Sequence, residues 1–274
     1  MLTTLGAAGL DLLAAPVCAG CGTSRAGSSA WGTTGALCEP CRAQLRLATP
    51  LAWLLRTPGE RAGLPQAAIP AFAAAAYEGP WRTILLAYKE RGQRGLRAEL
   101  GAALFVACLA ACLAVPIATA GRPLLLVPIP SRRSTVRQRG HDAVRALSAI
   151  AASKLWQVGW PAATAPVLRH ARDVADQSGL SQGMRAANLD GALRVRRCSL
   201  VEGRSVIVID DIVTTGATAG EAARALSASG AQVQAIAAVA ATPRRWPAGS
   251  AESVGRSPEQ LQTDAARRVD PGLG

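Results

Sequence analysis

The chain has 274 residues, half of them hydrophobic and only 4% aromatic, which excludes a disordered or fibrous class and calls for a core of Leu, Val, Ile and Ala. Thirty Lys and Arg against eighteen Asp and Glu leave a net charge of +12, which points to a polyanionic partner. The excess is uneven. Residues 122–145 carry six Arg against Asp142, a local +5, and residues 81–99 and 169–204 carry +3 each, whereas residues 205–242 sum to −2. Only Lys89 and Lys154 are lysines.

Residues 1–17 are apolar, but they lack a basic leading region, contain Asp11, and have Pro16 and Val17 where a cleavage site wants small residues. A short docking helix is expected there. Cys18-Ala-Gly-Cys21 and Cys38-Glu-Pro-Cys41 follow, separated by sixteen residues rich in Gly, Ser and Thr. Each two-residue spacer can form a knuckle that presents both sulfurs to one side, so the four thiolates Cys18, Cys21, Cys38 and Cys41 suit a tetrahedral zinc ion. With all four positions filled the site is closed and structural, and so small a ribbon depends on its metal to fold. Cys108, Cys112 and Cys198 stand outside this pattern. The Pro and Gly residues of Thr57–Pro70 mark a boundary, which divides the chain into a helix and zinc ribbon over 1–56 and a larger domain over 70–242.

Leu100–Ala120 is uncharged for 21 residues, close to spanning length, yet it is mostly Ala and Gly with Pro116 inside, so a buried helix followed by a turn is expected rather than a membrane span. With no convincing export signal, the protein is expected in the cytoplasm, where its thiols stay reduced. Leu124–Ile129 reads as a buried strand ending at Pro130, Asp142–Leu155 as a helix, and Gly191–Val195 as a further strand. Ser205–Ile209 reads as a fully buried strand, Thr218 or Ala219 to Ser229 as a helix stopping at Gly230, and Gln232–Ala241 as a strand again. Strand, turn, helix and strand in this span form a βαβ crossover, hence an α/β fold with parallel pairing. After Thr242 the composition turns to Pro, Gly, Ser and isolated charges without periodicity, and residues 243–274 are expected to be a disordered tail.

The most informative segment is Val206-Ile-Val-Ile-Asp210-Asp211-Ile-Val-Thr214-Thr215-Gly216-Ala217-Thr218. A buried strand delivers two carboxylates at its C-terminal end, where open α/β sheets bind ligands, and a small-residue loop leads into a helix. The loop can offer hydroxyls and backbone N–H groups to a phosphate at the positive helix end. Asp210 and Asp211 should face away from that phosphate, toward ribose hydroxyls, directly or through a cation. The absence of a Gly-Lys-Ser/Thr ending argues against a nucleoside-triphosphatase loop.

This segment resembles the 5-phosphoribosyl 1-pyrophosphate (PRPP) motif of the type I phosphoribosyltransferases, whose fold is a parallel sheet with helices on both faces. The resemblance implies that Asp210 and Asp211 bind the ribose 2′- and 3′-hydroxyls and that Thr214, Thr215, Gly216, Ala217 and Thr218 bind the 5′-phosphate. Mg²⁺ would bridge pyrophosphate and ribose oxygens. Of Arg132, Arg133, Arg137 and Arg139, whose planar donor forks suit pyrophosphate, Arg139 is the best candidate, which puts it with Asp210 and Asp211 in the catalytic set.

The four-cysteine ribbon, Tyr77-Glu-Gly with Lys89 beyond it, Val-Pro-Ile-Pro130 with Arg139-Gly140, Gln177-xx-Leu-Ser-xxx-Arg185-xx-Asn188 and the PRPP motif, in that order, resemble the ComF family over residues 10–242. That family is associated with natural transformation, so the resemblance implies a phosphoribosyltransferase of unknown acceptor, with single-stranded DNA and competence proteins such as a helicase as partners. His141-Asp142 departs from the family, which usually has an aromatic residue and Asn there. Gln177–Asn188 can form a lid or a plain surface loop. His170 receives no role. Two other readings compete: a PRPP-sensing DNA-uptake factor without turnover, and a zinc-ribbon nucleic-acid binder, which the ribbon's charge of only +1 over residues 1–50 disfavours.

Overall fold

Residues 17–24, 35–56, 68–119, 121–132, 135–137, 140–171 and 191–242 are described by the computed structural model. The expected helix over residues 1–16, Arg133, Arg139, the stretch Gln177–Asn188 and the tail lie outside them. The strands are β1 (Leu51–Arg56), β2 (Ala68–Ala76), β3 (Leu124–Pro128), β4 (Ala162–Thr164), β5 (Leu168–His170), β6 (Leu193–Val195), β7 (Ser205–Val213) and β8 (Gln232–Ala241). The helices are α1 (Glu39–Arg46), α2 (Gly79–Lys89), α3 (Arg97–Ala114), α4 (Ala143–Gln157) and α5 (Ala217–Ser227).

The main sheet has the order β1-β2-β8-β7-β3-β4, with β1 antiparallel to β2 and the other pairings parallel. The connection β7-α5-β8 runs one way along this order and β3-α4-β4 the other. Because such crossovers are right-handed, the two helices must lie on opposite faces. The core divides accordingly. One buried cluster joins Leu100, Leu104, Leu147 and Ile207, the other Leu55, Val206, Val208, Ala222 and Leu226. The α/β fold with helices on both faces is therefore the observed one.

Three departures from the sequence expectations have local causes. Leu51–Arg56, assigned to the ribbon side of the boundary, is an edge strand of the main sheet, paired from Leu51↔Ala73 to Arg56↔Ala68. Gly191–Val195 contributes only β6, which pairs antiparallel with β5 in a separate two-stranded sheet. β7 runs on to Val213 because Asp210, Ile212 and Val213 keep their pairing with β8.

The uncharged stretch after Glu99 forms most of α3. This helix is long and apolar enough to cross a membrane by length and composition. Its stripe Leu100, Ala103, Leu104, Ala107, Cys108, Ala111 and Cys112 is buried, at the i, i+3, i+4 spacing of a core-facing helix. It packs on β2, β8 and α4, and it ends before Pro116. Alanine makes this close layer possible: β2 reads AIPAFAAAA and β8 QVQAIAAVAA.

The ribbon shares the same core. Cys18, Cys38, Cys41, Leu37 and Leu45 belong to the cluster of Leu100 and Leu104, and buried Arg42 of α1 pairs with Glu99 of α3 at 3.5 Å.

At the α3–α4 crossing, a Cβ on Gly101 would lie 2.7 Å from Cβ of Ile150, whose branched base cannot swing away. Gly101→Ala is expected to destabilise the protein by about 1–3 kcal/mol despite its gain in helix propensity. A thermal melt equal to or above that of the wild type would contradict this packing.

Candidate functional site

The opposite placement of α4 and α5 opens a crevice between the C-terminal ends of β3 and β7, the switch point at which open α/β sheets bind ligands. β7 brings Asp210 and Asp211 there. Along β7, Ile207 and Ile209 belong to one core cluster and Val206 and Val208 to the other, as strand alternation requires. Ile212 then packs with Ile207 and Ile209, and Val213 with Val206, so the alternation slips by one residue across the acid pair.

Asp211 is buried and forms an ion pair with Lys89, the last residue of α2, at 2.8 Å to Oδ2 and 3.0 Å to Oδ1. Asp210 accepts a hydrogen bond from the Asp211 backbone N–H at 2.8 Å. Burial, and next the charge of Asp211, push the Asp210 carboxyl up to about 8, with the Lys89 charge acting in the other direction. The pair thus holds one carboxylate matched by Lys89 and one carboxyl that burial keeps protonated at neutral pH, an arrangement suited to a cation that displaces the proton or to a diol that hydrogen-bonds the carboxylate.

Thr214 is exposed and Thr215 half-buried, and the Thr215 hydroxyl accepts from the Ala217 backbone N–H at 3.3 Å. α5 begins at Ala217, one or two residues before the expected start, so the loop runs straight into the helix N-terminus. Gly216 has φ +76°, and a Cβ there would run into the Leu55 side chain of β1. Glycine suits both the left-handed turn and the close approach of Leu55.

The other rim follows β3. Arg132 and Arg137 are exposed beyond Pro130, and Gly140, with φ +72°, packs against the Arg94 guanidinium. Arg122 lies before β3, at the opposite end of the strand, so the +5 stretch does not form one face. Both members of the His141-Asp142 pair make packing contacts: Asp142 caps α4 by accepting from the Arg145 N–H at 3.3 Å, and the His141 and Tyr88 rings meet edge to face with centroids 5.6 Å apart. Leu55 and Arg94 were given no role by motif reading, and neither was His170, which bonds through Nε2 to the Pro130 carbonyl at 3.0 Å, while Lys89 stood in the ComF-like pattern without a partner or a task. One signal was present for Lys89, a lysine in a chain that otherwise uses Arg almost throughout.

At the ribbon, the sulfurs of Cys18, Cys21, Cys38 and Cys41 all lie within 4.8 Å of one another, with Cys18–Cys38 at 3.5 Å and Cys21–Cys38 at 3.6 Å. Tetrahedral zinc thiolates, with Zn–S of about 2.3 Å, need sulfurs roughly 3.8 Å apart, so this cluster can take zinc. Burial disfavours the Cys18 thiolate, yet backbone N–H groups of Cys38, Cys21 and Gly20 outweigh it and lower its pKa. The Thr23 hydroxyl and backbone bring Cys21 down to about 6, while burial raises Cys38 and Cys41.

Comparison with known families finds that residues 146–264 match the phosphoribosyl transferase domain, a stretch that includes β7, the acid pair, the threonine loop and α5. Over those residues the chain is similar to that domain, in keeping with its α/β fold. No curated protein matches the chain. Among solved structures, one described as the allosteric regulatory enzyme of purine biosynthesis matches at 15% identity and a TM-score of 0.33, over 64% of this chain and 33% of that one. The chain therefore spans a third of the length of that relative.

Between pH 4 and 8 an unfolded chain has ionised Asp210 while the folded one keeps its proton, so folding binds a proton and stability falls as pH rises through that window. Asp210→Asn is expected to flatten this fall and to raise the melting temperature at pH 8 by a few degrees. An unchanged pH profile would contradict the burial of that charge. For the ribbon, one tightly bound zinc per chain is expected, with Cys18→Ser lowering metal content and opening the region to protease. Unchelated protein without zinc by elemental analysis would remove the metal from this site.

Proposed function

We propose that the protein binds PRPP with Mg²⁺ in the crevice and transfers its phosphoribosyl group to an acceptor with release of pyrophosphate. The observation that carries this reading is the strand-borne pair Asp210 and Asp211, followed at once by a threonine loop on a helix N-terminus at the switch point. In this reading Thr214, Thr215, Gly216, Ala217 and Thr218 hold the 5′-phosphate through hydroxyls and N–H groups. Asp210 and Asp211 take the ribose hydroxyls. Arg139 takes the pyrophosphate, with Arg132 and Arg137 beyond Pro130 adding positive charge.

Departure of pyrophosphate from C1 leaves oxocarbenium-like charge on the ribose, so the task of these residues is positioning and charge stabilisation rather than covalent chemistry. The acid pair fits the positioning task, since the Asp211 carboxylate, held by Lys89, can accept hydrogen bonds from the ribose hydroxyls. It also fits a divalent ion, because a carboxyl that burial holds protonated becomes an anionic ligand when a cation arrives. Mg²⁺, when bound, neutralises the leaving pyrophosphate and orients it against the ribose.

The finer assignment is to the ComF type, with a role in handling incoming single-stranded DNA alongside competence proteins such as a helicase. It is supported by the order of ribbon, Lys89, Val-Pro-Ile-Pro130 and acid pair along one chain. PRPP with Mg²⁺ at a hundredfold excess over its Kd is expected to stabilise the fold by about 2.7 kcal/mol, a rise in melting temperature of roughly 5–10 °C. The double variant Asp210→Asn, Asp211→Asn should lose this rise. Pyrophosphate release should appear with one member of a panel of bases, amines and single-stranded oligonucleotides. Binding without release from any acceptor would favour a PRPP sensor, and no binding at all would overturn the reading. Substitution at Gly216 is a poor test, since its clash with Leu55 alters the loop whether or not a phosphate binds.

A further inference from the structure

Lys89 stands outside the motif that defines the site, 122 residues before its partner, yet its ammonium reaches both oxygens of Asp211. Three features hold it there. It is the last residue of α2, at the negative end of the helix dipole. Its neighbour Tyr88 is fully buried and donates to the Ala143 carbonyl at 3.4 Å, which pins the helix end to the start of α4. Ile84, also fully buried, lies against the ribbon at Gly20, which fixes the middle of the helix. The Lys89 side chain is 26% exposed and that of Asp211 only 5%, so the pair sits where screening is weak and geometry counts.

Two adjacent carboxylates repel, and a site that turns both toward one ribose must restrain them. A lysine is suited to this task, since its ammonium is a compact point charge that fits over one carboxylate, where a guanidinium would demand more room. We propose that Lys89 is a positioning residue of the PRPP site, clamping the Asp211 carboxylate in a single orientation toward the ribose hydroxyls. This rests on the PRPP reading above. Lys89 acts through Asp211 and needs no contact with the ligand itself.

The consequence is coupling. PRPP binding with Mg²⁺ is measured by calorimetry on the full chain for the wild type, Lys89→Met, Asp211→Asn and the double variant, which removes both charges and leaves neither buried alone. Each single variant is expected to weaken PRPP roughly tenfold or more, and Lys89→Met should cost less than about twofold in the Asp211→Asn background. Competition against PRPP supplies the readout that a merely structural lysine would not move. Ribose 5-phosphate should outcompete 2-deoxyribose 5-phosphate on the wild type, and Lys89→Met should abolish that preference. Lys89→Met binding PRPP as the wild type does, costs that multiply in the double variant, or a preserved ribose preference would each overturn the clamp. Wild-type protein that binds no PRPP would overturn the functional reading itself, a different result from an intact wild type with an indifferent Lys89.

Discussion

Negative charge at the end of a buried strand is the constraint around which this molecule is organised. β7 is buried along most of its length, and its last residues carry two acids that water cannot fully solvate. One is matched by Lys89 and the other is left with a strongly raised pKa. The counter-charge comes from α2, so the site exists only when α2 is docked. Everything that docks α2, including Tyr88 against α4 and Ile84 against the ribbon, contributes indirectly to the electrostatics of the crevice.

The cysteine cluster takes its meaning from the same connection. Its knuckles are packed closely enough that a Cβ on Gly20 would lie 2.8 Å from the Cys41 sulfur, and its helix α1 is tied to α3 by the buried Arg42–Glu99 pair. A buried pair of this kind adds little net stability but penalises any arrangement that separates its partners. The ribbon is thus a buttress of the main core, and its Arg42 is one of the positive charges that the net count would assign to a polyanion.

The small β5–β6 sheet is held by comparable single contacts. Buried Glu221 of α5 accepts from the Leu193 N–H at 3.0 Å and pairs with Arg224, while His170 holds the Pro130 carbonyl on the β3 side. One side of the crevice rim is therefore fastened to both halves of the switch point, although neither residue belongs to a recognisable motif.

Local patterns were readable in the sequence because their physics is local. The spacing of Cys18, Cys21, Cys38 and Cys41 follows from knuckle geometry, and the unit from Ser205 to Ala241 follows from β-branched runs, a threonine–glycine turn and alanine–leucine helical spacing, so both were legible without a partner in view. β1 and β2 were not. The alanines of β2 have weak strand preference, and burial beneath α3 and pairing with β8 make it a strand, which β1 then joins by antiparallel pairing. The Arg122–Arg145 stretch reads as one basic patch in the sequence, but β3 passes through it and separates Arg122 from Arg132 and Arg137 by the length of the strand. The sequence alone determined which residues could carry the chemistry. Tertiary structure decided which of them meet, placing Lys89 on Asp211 and Leu55 on Gly216, because contacts between residues far apart in the chain depend on how the helices and strands pack and not on any local spacing.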